Sequence, residues 1–158
     1  MRSGIGARRL AAGASLACLI LGLPAKAAEL EAVNPPELRR SPFYSHAVVA
    51  PGGARTVYVA GQIGFDGAGR LAPDYEGQVR QAFANLAAVL AAAGARPEHV
   101  AKITVLIVDH DETKLGPLAD ASKALFGDHL PASTLIPVPR LALDGLLFEI
   151  AAIAAIPD

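Results

Sequence analysis

Glu149 is the residue whose setting in the sequence most strongly indicates chemistry. It is the one charged side chain between residues 145 and 157, in a segment that is otherwise apolar. Burying an isolated carboxylate costs free energy, so such a group is normally paired, protonated or functional. A glutamate in this setting is suited to transferring protons or to positioning a water molecule. A structural ion pair, or a strand end that faces solvent, would explain it equally well.

The other titratable residues give weaker signals. Asp109, His110 and Asp111 follow an apolar run, but three adjacent side chains cannot all reach one metal from a strand, and no HxH or HxxxH partner is present. They predict a solvated loop that caps a helix, and no metal site. Ser122 and Ser133 lack the G-x-S-x-G setting of a serine hydrolase. The remaining histidines stand alone and are interpreted as surface or core residues: His46, His99 and His129.

Hydrophobic periodicity predicts the elements that must position these side chains. In chain order they are a hairpin of strands at 46–50 and 56–60, a helix at 79–93, a strand at 103–108, a helix at 115–126, and strands at 133–138 and 146–156. Asp74 is the expected start signal of the first helix, and Gly94 and Gly127 are expected to end the two helices. The order predicts an α+β domain with two helices on one face of a single sheet.

Two of the predicted strands bear on assembly. The runs at 103–108 and 146–153 do not alternate apolar with polar residues, which is typical of strands buried on both faces. Two helices can cover only one face of that sheet, and the chain has no spare segment for the other. We therefore expect another subunit to cover it.

The N-terminus predicts export. Arg2, Arg8 and Arg9 precede an apolar stretch at 10–23 and then the sequence Ala25-Lys26-Ala27, which is the order of a secretory signal peptide. We expect residues 1–27 to be removed by cleavage after Ala27, residues 28–42 to form a loosely held leader, and residues 43–157 to form the domain. The mature protein would be periplasmic or secreted and free of the membrane. Lipidation of Cys18 and an uncleaved anchor are the alternatives.

Cleavage changes the charge and the cysteine count. Four of the 14 lysines and arginines, but none of the 15 acids, lie before the predicted cut, so the mature chain would carry a net charge of −5. An acidic surface argues against nucleic acid or an anionic membrane as a partner. The single cysteine, Cys18, leaves with the peptide. The mature chain then has no disulfide and no cysteine ligand.

Six short segments carry a recognisable pattern. They are FYSHAV at 43–48, VAGQI at 59–63, QVRQAFANL at 78–86, VAKITV at 100–105, LPAST at 130–134 and FEIAAIA at 148–154. In this order and spacing they resemble the Rid family of enamine/imine deaminases, also called YjgF-like proteins. The resemblance implies a chorismate mutase-like α+β fold and a homotrimer whose sheets enclose a central barrel. It also implies a small-molecule cleft at each subunit interface, and we expect no cofactor.

The resemblance also implies a set of cleft residues. Carried over by motif, they are Tyr44, Gly61, Ser133, Leu135 and Glu149. Ser133 stands where the family has an arginine that clamps the substrate carboxylate through two charge-assisted hydrogen bonds. A serine hydroxyl offers one neutral donor, which predicts an atypical substrate. Strand alternation would turn Arg140 away from this position. A cation supplied from elsewhere, by Arg39, Arg40 or Arg55, stays open as an alternative.

Two functions follow from these residues. The first is a deaminase-like hydrolase of small reactive enamines or imines, in which Glu149 is catalytic and holds the attacking water. The second is a non-catalytic trimer that binds a small ligand in the same clefts. A chorismate mutase on the related fold is a third interpretation. That reaction needs several cations around a dianionic substrate, and no cation can be placed in the predicted cleft.

Overall fold

The structure is a computed structural model, and it describes residues 30–157. The elements in chain order are strand β1 (Glu31–Val33), β2 (Ala47–Val49), β3 (Arg55–Ile63), helix α1 (Tyr75–Ala92), β4 (Val100–Val108), helix α2 (Leu115–Phe126), β5 (Ala132–Val138) and β6 (Phe148–Ile156). Short 3-10 turns at Pro97–His99 and Glu112–Lys114 precede β4 and α2. The predicted signal peptide, residues 1–27, and Cys18 within it lie outside the described residues.

A four-stranded mixed sheet forms the centre of the domain, with the strand order β3-β6-β4-β5. Strand β6 runs antiparallel to both β3 and β4, whereas β4 and β5 are parallel. Helix α1 contacts β3, β6 and α2. Both helices pack on the same face of the sheet, so the predicted α+β architecture is confirmed.

Helix boundaries follow the signals in the sequence. The Asp74 carboxylate accepts a hydrogen bond of 2.7 Å from the backbone N–H of Gly77 and so satisfies one free donor at the start of α1. Gly94 has a φ of +74° just beyond the end of α1, a conformation that glycine adopts without strain. Gly127 ends α2 in a similar way, with a φ of +58°.

The main hydrophobic core lies between the two helices and the sheet. Phe148 is its largest fully buried side chain. It stacks on Phe83 at a centroid distance of 6.1 Å and meets Tyr75 edge-on at 6.0 Å. Leu86 and Leu90 of α1 are buried beside it. In β6, alternate residues therefore belong to this core, and their neighbours point away from the helices.

The predicted hairpin at 46–50 and 56–60 is wrong. Strand β2 pairs instead with β1, and β3 lies along β6 at the far end of the chain, with Arg55 opposite Ile156 and Ile63 opposite Glu149. A Pro-Gly-Gly turn predicts that the chain reverses there, but not which strand becomes the neighbour. Pairing with β6 lets Val59 and Val57 join the core under α1, and this burial decides the arrangement.

The leader is also more ordered than expected. Residues 31–33 form a strand, and the Asn34 side chain accepts a hydrogen bond of 3.0 Å from the backbone N–H of His46. The reason is the free edge of β2, which offers unpaired backbone groups that β1 satisfies. Within residues 30–157, no helix is long and apolar enough to cross a bilayer.

Candidate functional site

The Glu149 carboxylate lies directly over Gly61, on the face of the sheet that no helix covers. Its cross-strand neighbour on β4 is Leu106. An irregularity in the pairing of β3 between Val59 and Gln62 brings Gly61 beneath the acid. A Cβ atom added to Gly61 would lie only 2.6 Å from Glu149 Cδ. Only glycine therefore leaves room for the glutamate side chain in this position.

Two polar side chains of α1 fix the strands that carry this pair. Gln78 is buried, and its amide accepts a hydrogen bond of 2.8 Å from Leu147 N–H and donates one of 2.8 Å to the Gly145 carbonyl, just before β6. Asn85 donates a hydrogen bond of 2.9 Å to the carbonyl of Ile63, at the end of β3. The helix thus holds the end of one strand and the start of the other, next to Gly61 and Glu149.

These hydrogen bonds of Gln78 and Asn85 were not predicted from the sequence, although the spacing of the polar residues indicates them. Gln78, Gln81 and Asn85 are three and four residues apart, which places them on one side of a helix. That side is shared with Ala82 and Leu86, which are buried. A polar row within the buried side of a helix predicts hydrogen bonds to neighbouring backbone. Here Gln81 donates to Asn85 at 2.9 Å and so orients it.

Three of the predicted cleft residues line a separate cavity on the helix-covered face. Tyr44, Ser133 and Leu135 surround a cavity of about 310 Å³ between α2, β4 and β5. Ser133 and Leu135 reach it because they lie opposite Ile103 and Val105 of β4, whose side chains point toward the helices. The remaining walls are mostly aliphatic side chains of α2 and β4.

The segment before β2 forms one wall of this cavity. Ser45 is buried and forms an isolated parallel bridge with Ala132, and its backbone N–H donates a hydrogen bond of 3.3 Å to the Pro131 carbonyl. This bridge extends the sheet beyond β5 and sets Phe43 and Tyr44 against the mouth of the cavity. Phe43 itself is 59% exposed.

Within one subunit, the five predicted site residues therefore form two groups. Gly61 and Glu149 lie on the helix-free face, whereas Tyr44, Ser133 and Leu135 line the cavity on the other face. Strands β6 and β5 are separated by β4, so the backbones of Glu149 and Ser133 are at least two strand spacings apart, roughly 9–10 Å. A single subunit does not assemble these residues into one cleft.

Two lysines of the surrounding elements, Lys102 of β4 and Lys123 of α2, do not line this cavity. Lys102 lies on the helix-free face, opposite Ile153 of β6, and its ammonium donates a hydrogen bond to the Thr134 hydroxyl. Burial lowers the pKa of Lys102 below its ordinary value. Lys123 lines an adjoining cavity together with Asp120 and Asp128. Of the described residues that line the 310 Å³ cavity, none is charged.

The loop after β4 acts as a helix start, as predicted. The Asp111 carboxylate accepts a hydrogen bond of 2.8 Å from the backbone N–H of Thr113. A hydrogen bond from the Thr113 hydroxyl, together with this backbone bond, lowers the pKa of Asp111. Across residues 30–157, no three His, Cys, Asp or Glu side chains come together as a metal would require. Arg140 forms an exposed ion pair of 3.5 Å with Asp144.

Comparison with protein families identifies one match. The family model described as endoribonuclease L-PSP matches residues 37–156. A 2-iminobutanoate/2-iminopropanoate deaminase of Rattus norvegicus is 39% identical over 113 residues, which are 70% of this chain and 78% of the rat protein. The RutC family protein YjgH of Escherichia coli is 34% identical over 102 residues, covering 65% of this chain and 76% of its own length.

Solved structures of similar proteins have the same fold. A Rid-family protein of unknown function from Yersinia pestis, YyfB, superposes with a TM-score of 0.75 at 34% identity, covering 82% of this chain and all of its own. Escherichia coli TdcF with bound serine superposes with a TM-score of 0.58 at 26% identity, covering 77% of this chain and 92% of its own. Both chains share the arrangement of two helices on a mixed sheet.

Proposed function

The chain belongs to the Rid (YjgF-like) family, and from this premise we propose that it is a hydrolase of small reactive imines or enamines, with Glu149 as its catalytic group. The observation that carries the proposal is the carboxylate of Glu149 lying over Gly61. None of the ion pairs within residues 30–157 involves this carboxylate. It is therefore not committed to a structural ion pair and can bind water.

The reaction needs one proton acceptor and one water molecule. Water adds to the carbon of the C=N bond while Glu149 accepts a proton from it, and Glu149 then gives this proton to the nitrogen. In the resulting amino alcohol, the O–H proton passes through Glu149 to the amino group as the C–N bond breaks, so that ammonia leaves and a carbonyl compound remains. A positioned carboxylate typically contributes about 10²–10⁴-fold to such steps.

We infer that the working assembly is a homotrimer in which each cleft combines two subunits. The support is that Glu149 and the cavity around Ser133 lie on opposite faces of the sheet within one subunit. The helix-free face also exposes large apolar side chains, including Tyr58 at 79% and Ile153 at 38%. A neighbouring copy that covers this face would bury them and bring Glu149 to the cavity of the next subunit.

The replacement at position 133 bears on the substrate. In the family pattern an arginine at this position holds a substrate carboxylate, and this chain has Ser133 there. A hydroxyl cannot provide the charge-assisted, bidentate contact. We therefore propose that 2-imino acids are not the preferred substrates of this protein.

We also propose export. Residues 1–27 carry the order of basic, apolar and small residues that is typical of a cleaved signal peptide. In a periplasmic or extracellular setting the protein would meet imines other than those of cytoplasmic amino-acid breakdown. N-terminal sequencing of the protein recovered from its native host tests this directly, and a mature start at Ala28 is the expected result.

Glu149→Gln tests the catalytic proposal. The amide keeps the shape of the side chain but cannot accept the proton, so imine hydrolysis should fall about 100-fold or more. Ammonia release from a panel of in situ generated imines is the measurement. Glu112→Gln, at an exposed position in the turn before α2, is the matched control and should retain full activity. A wild-type rate equal to that of buffer for every imine would reject the hydrolase.

A non-catalytic binding trimer is the second candidate. It is favoured by one observation, namely that no Asp, Glu, His, Lys or Arg of the same subunit lines the cavity around Ser133. In that case, ligands should raise the melting temperature without being consumed. A ligand that stabilises wild-type and Glu149→Gln proteins equally, with no turnover in either, would support this alternative.

A further inference from the structure

The cavity around Ser133 is large, apolar and without charge. Seven of its ten lining residues are apolar, and the other three, Tyr44, Ser122 and Ser133, carry hydroxyl groups. Its volume of about 310 Å³ is roughly twice that of an engineered cavity that binds benzene. It therefore accommodates more than a short alkyl chain, and its size falls at the lower end of the range of small-molecule sites.

Within one subunit, a carboxylate has no cationic partner among the residues that line this cavity. The hydroxyl of Ser133 is neutral, and Leu115 and Leu118 of α2 form the facing wall. Moving an ionised carboxylate into such a setting without a cation is strongly unfavourable. Lys123 lines the adjoining cavity, and Asp120 and Asp128 line that cavity as well.

The polar groups that are present suit a neutral ligand. A hydroxyl both donates and accepts one hydrogen bond in a low-polarity site, so Ser133, Ser122 and Tyr44 can hold a neutral nitrogen or oxygen. Phe43 is largely exposed at the mouth, where a hydrocarbon ligand would cover it. This pairing of an apolar wall with a few hydroxyls is typical of sites for uncharged small molecules.

We propose that this cavity binds the hydrocarbon part of an uncharged imine or enamine, one derived from an aldehyde or ketone that bears an aromatic or medium-length aliphatic group and no carboxylate. This inference rests on the proposed function, since it names the substrate class of the same cleft. Ser133 is then a specificity-determining residue: it removes the carboxylate clamp and leaves space for hydrocarbon.

A matched pair of substrates tests the inference. The imines of phenylacetaldehyde and of phenylpyruvate differ only by the carboxylate, and both can be generated in situ from ammonia. We expect the wild-type kcat/KM for the neutral imine to exceed that for the acid by at least tenfold. Ser133→Arg should reverse this preference, whereas Ser133→Ala, which stays neutral, should keep it. A wild-type preference for the acid would overturn the inference, whether or not the arginine variant folds.

Binding of stable analogues separates this inference from the proposed hydrolase. Calorimetry with phenylacetamide and with phenylacetate compares a neutral and an anionic ligand of the same size. If neither imine is hydrolysed but the amide binds at least tenfold more tightly than the acid, the hydrolase fails and the inference about ligand class stands. If imines are hydrolysed but the acid binds as well as the amide, or if neither analogue binds, the inference fails. Lys123→Gln controls for the nearby cation and should change neither affinity.

Discussion

The two faces of the central sheet differ in how completely the chain covers them. On the helix-covered face, Phe148 and Ile150 of β6 are fully buried. On the other face of the same strand, Glu149 is half-buried and Ile153 is exposed. Because side chains alternate along a strand, one register creates both environments. The comparison shows that the covered face provides stability within the subunit, while the face that carries the acid exposes apolar side chains such as Tyr58 and Ile153.

The largest expected effect is on the covered face. Phe148→Ala removes the ring that stacks on Phe83 and leaves a cavity, so the free energy of unfolding should fall by about 3–5 kcal/mol. Urea denaturation followed by circular dichroism measures this loss. The effect should not depend on protein concentration, because the lost contacts lie within one subunit.

Ile153→Ala, in the same strand but on the helix-free face, is the matched comparison. Its cost should depend on protein concentration, because the contacts it removes would be made with a neighbouring copy. A concentration-dependent loss for Phe148→Ala, or a large and concentration-independent loss for Ile153→Ala, would contradict the difference drawn between the two faces.

Gly61→Ala should give the next largest effect. The added methyl group would occupy the place of the Glu149 carboxyl group, which must then leave its position over β3. We expect kcat to fall about 100-fold, equivalent to roughly 2.7 kcal/mol, while the urea midpoint changes little. Gly52→Ala is the control, since nothing lies within 4 Å of a Cβ atom at Gly52. Activity at the wild-type level in Gly61→Ala would show that Glu149 is not the catalytic group.

Tyr58→Lys tests whether the helix-free face forms the interface between subunits. Tyr58 lies opposite Ile153 on the helix-free face, and a lysine there would place a charge where apolar contact is expected. Sedimentation should show a shift from trimer toward monomer, with secondary structure retained. Leu143→Lys, at a position that is 55% exposed outside the sheet, should leave the oligomer intact. A wild-type protein that is monomeric would remove the basis of the proposed interface.

The smallest effect concerns His99, which is buried just before β4. Burial, with a smaller contribution from the Arg96 charge, lowers the pKa of this histidine below 6.5. Its neutral ring accepts a hydrogen bond of 3.1 Å from the Arg96 backbone N–H. As pH falls below about 6.5, the unfolded chain takes up a proton before the folded one does, so stability is lost toward acid.

His99→Gln removes this titration and should flatten the fall in the urea midpoint between pH 7.5 and pH 5. The two proteins are compared at fixed concentration and ionic strength. An equal slope in wild-type and variant proteins would show that other groups determine the acid sensitivity.

Local patterns in the sequence predicted the helices and most strands because capping and periodicity are local properties. Asp74 and Gly94 mark the ends of α1 within a residue or two of the observed bounds. The neighbour of β3 could not be predicted from the adjacent turn, because pairing between strands so far apart in the chain depends on which arrangement buries Val57 and Val59. The order in the leader was missed for a similar reason, since β1 depends on a free edge elsewhere.

The sequence predicts a set of candidate site residues but not their geometry. The lone charge in an apolar strand indicates Glu149, and the family resemblance adds Tyr44, Gly61, Ser133 and Leu135. Strand alternation within β5 and β6 was readable from the sequence, but the relative register of these strands through β4 was not. That register is what separates the acid from the cavity in a single subunit.

The placement of Glu149 and Ser133 on opposite sides of one sheet has a consequence for hybrid assemblies. In the proposed trimer, a subunit with a blocked cavity can still contribute Glu149 to the cleft of one neighbour. A subunit that lacks Glu149 still has a cavity that can receive the carboxylate of its other neighbour. Two inactive parents mixed before assembly would thus regain one intact cleft in every hybrid ring. Dilution would lower the activity, because a dissociated subunit contains both Glu149 and the cavity but cannot combine them in one cleft.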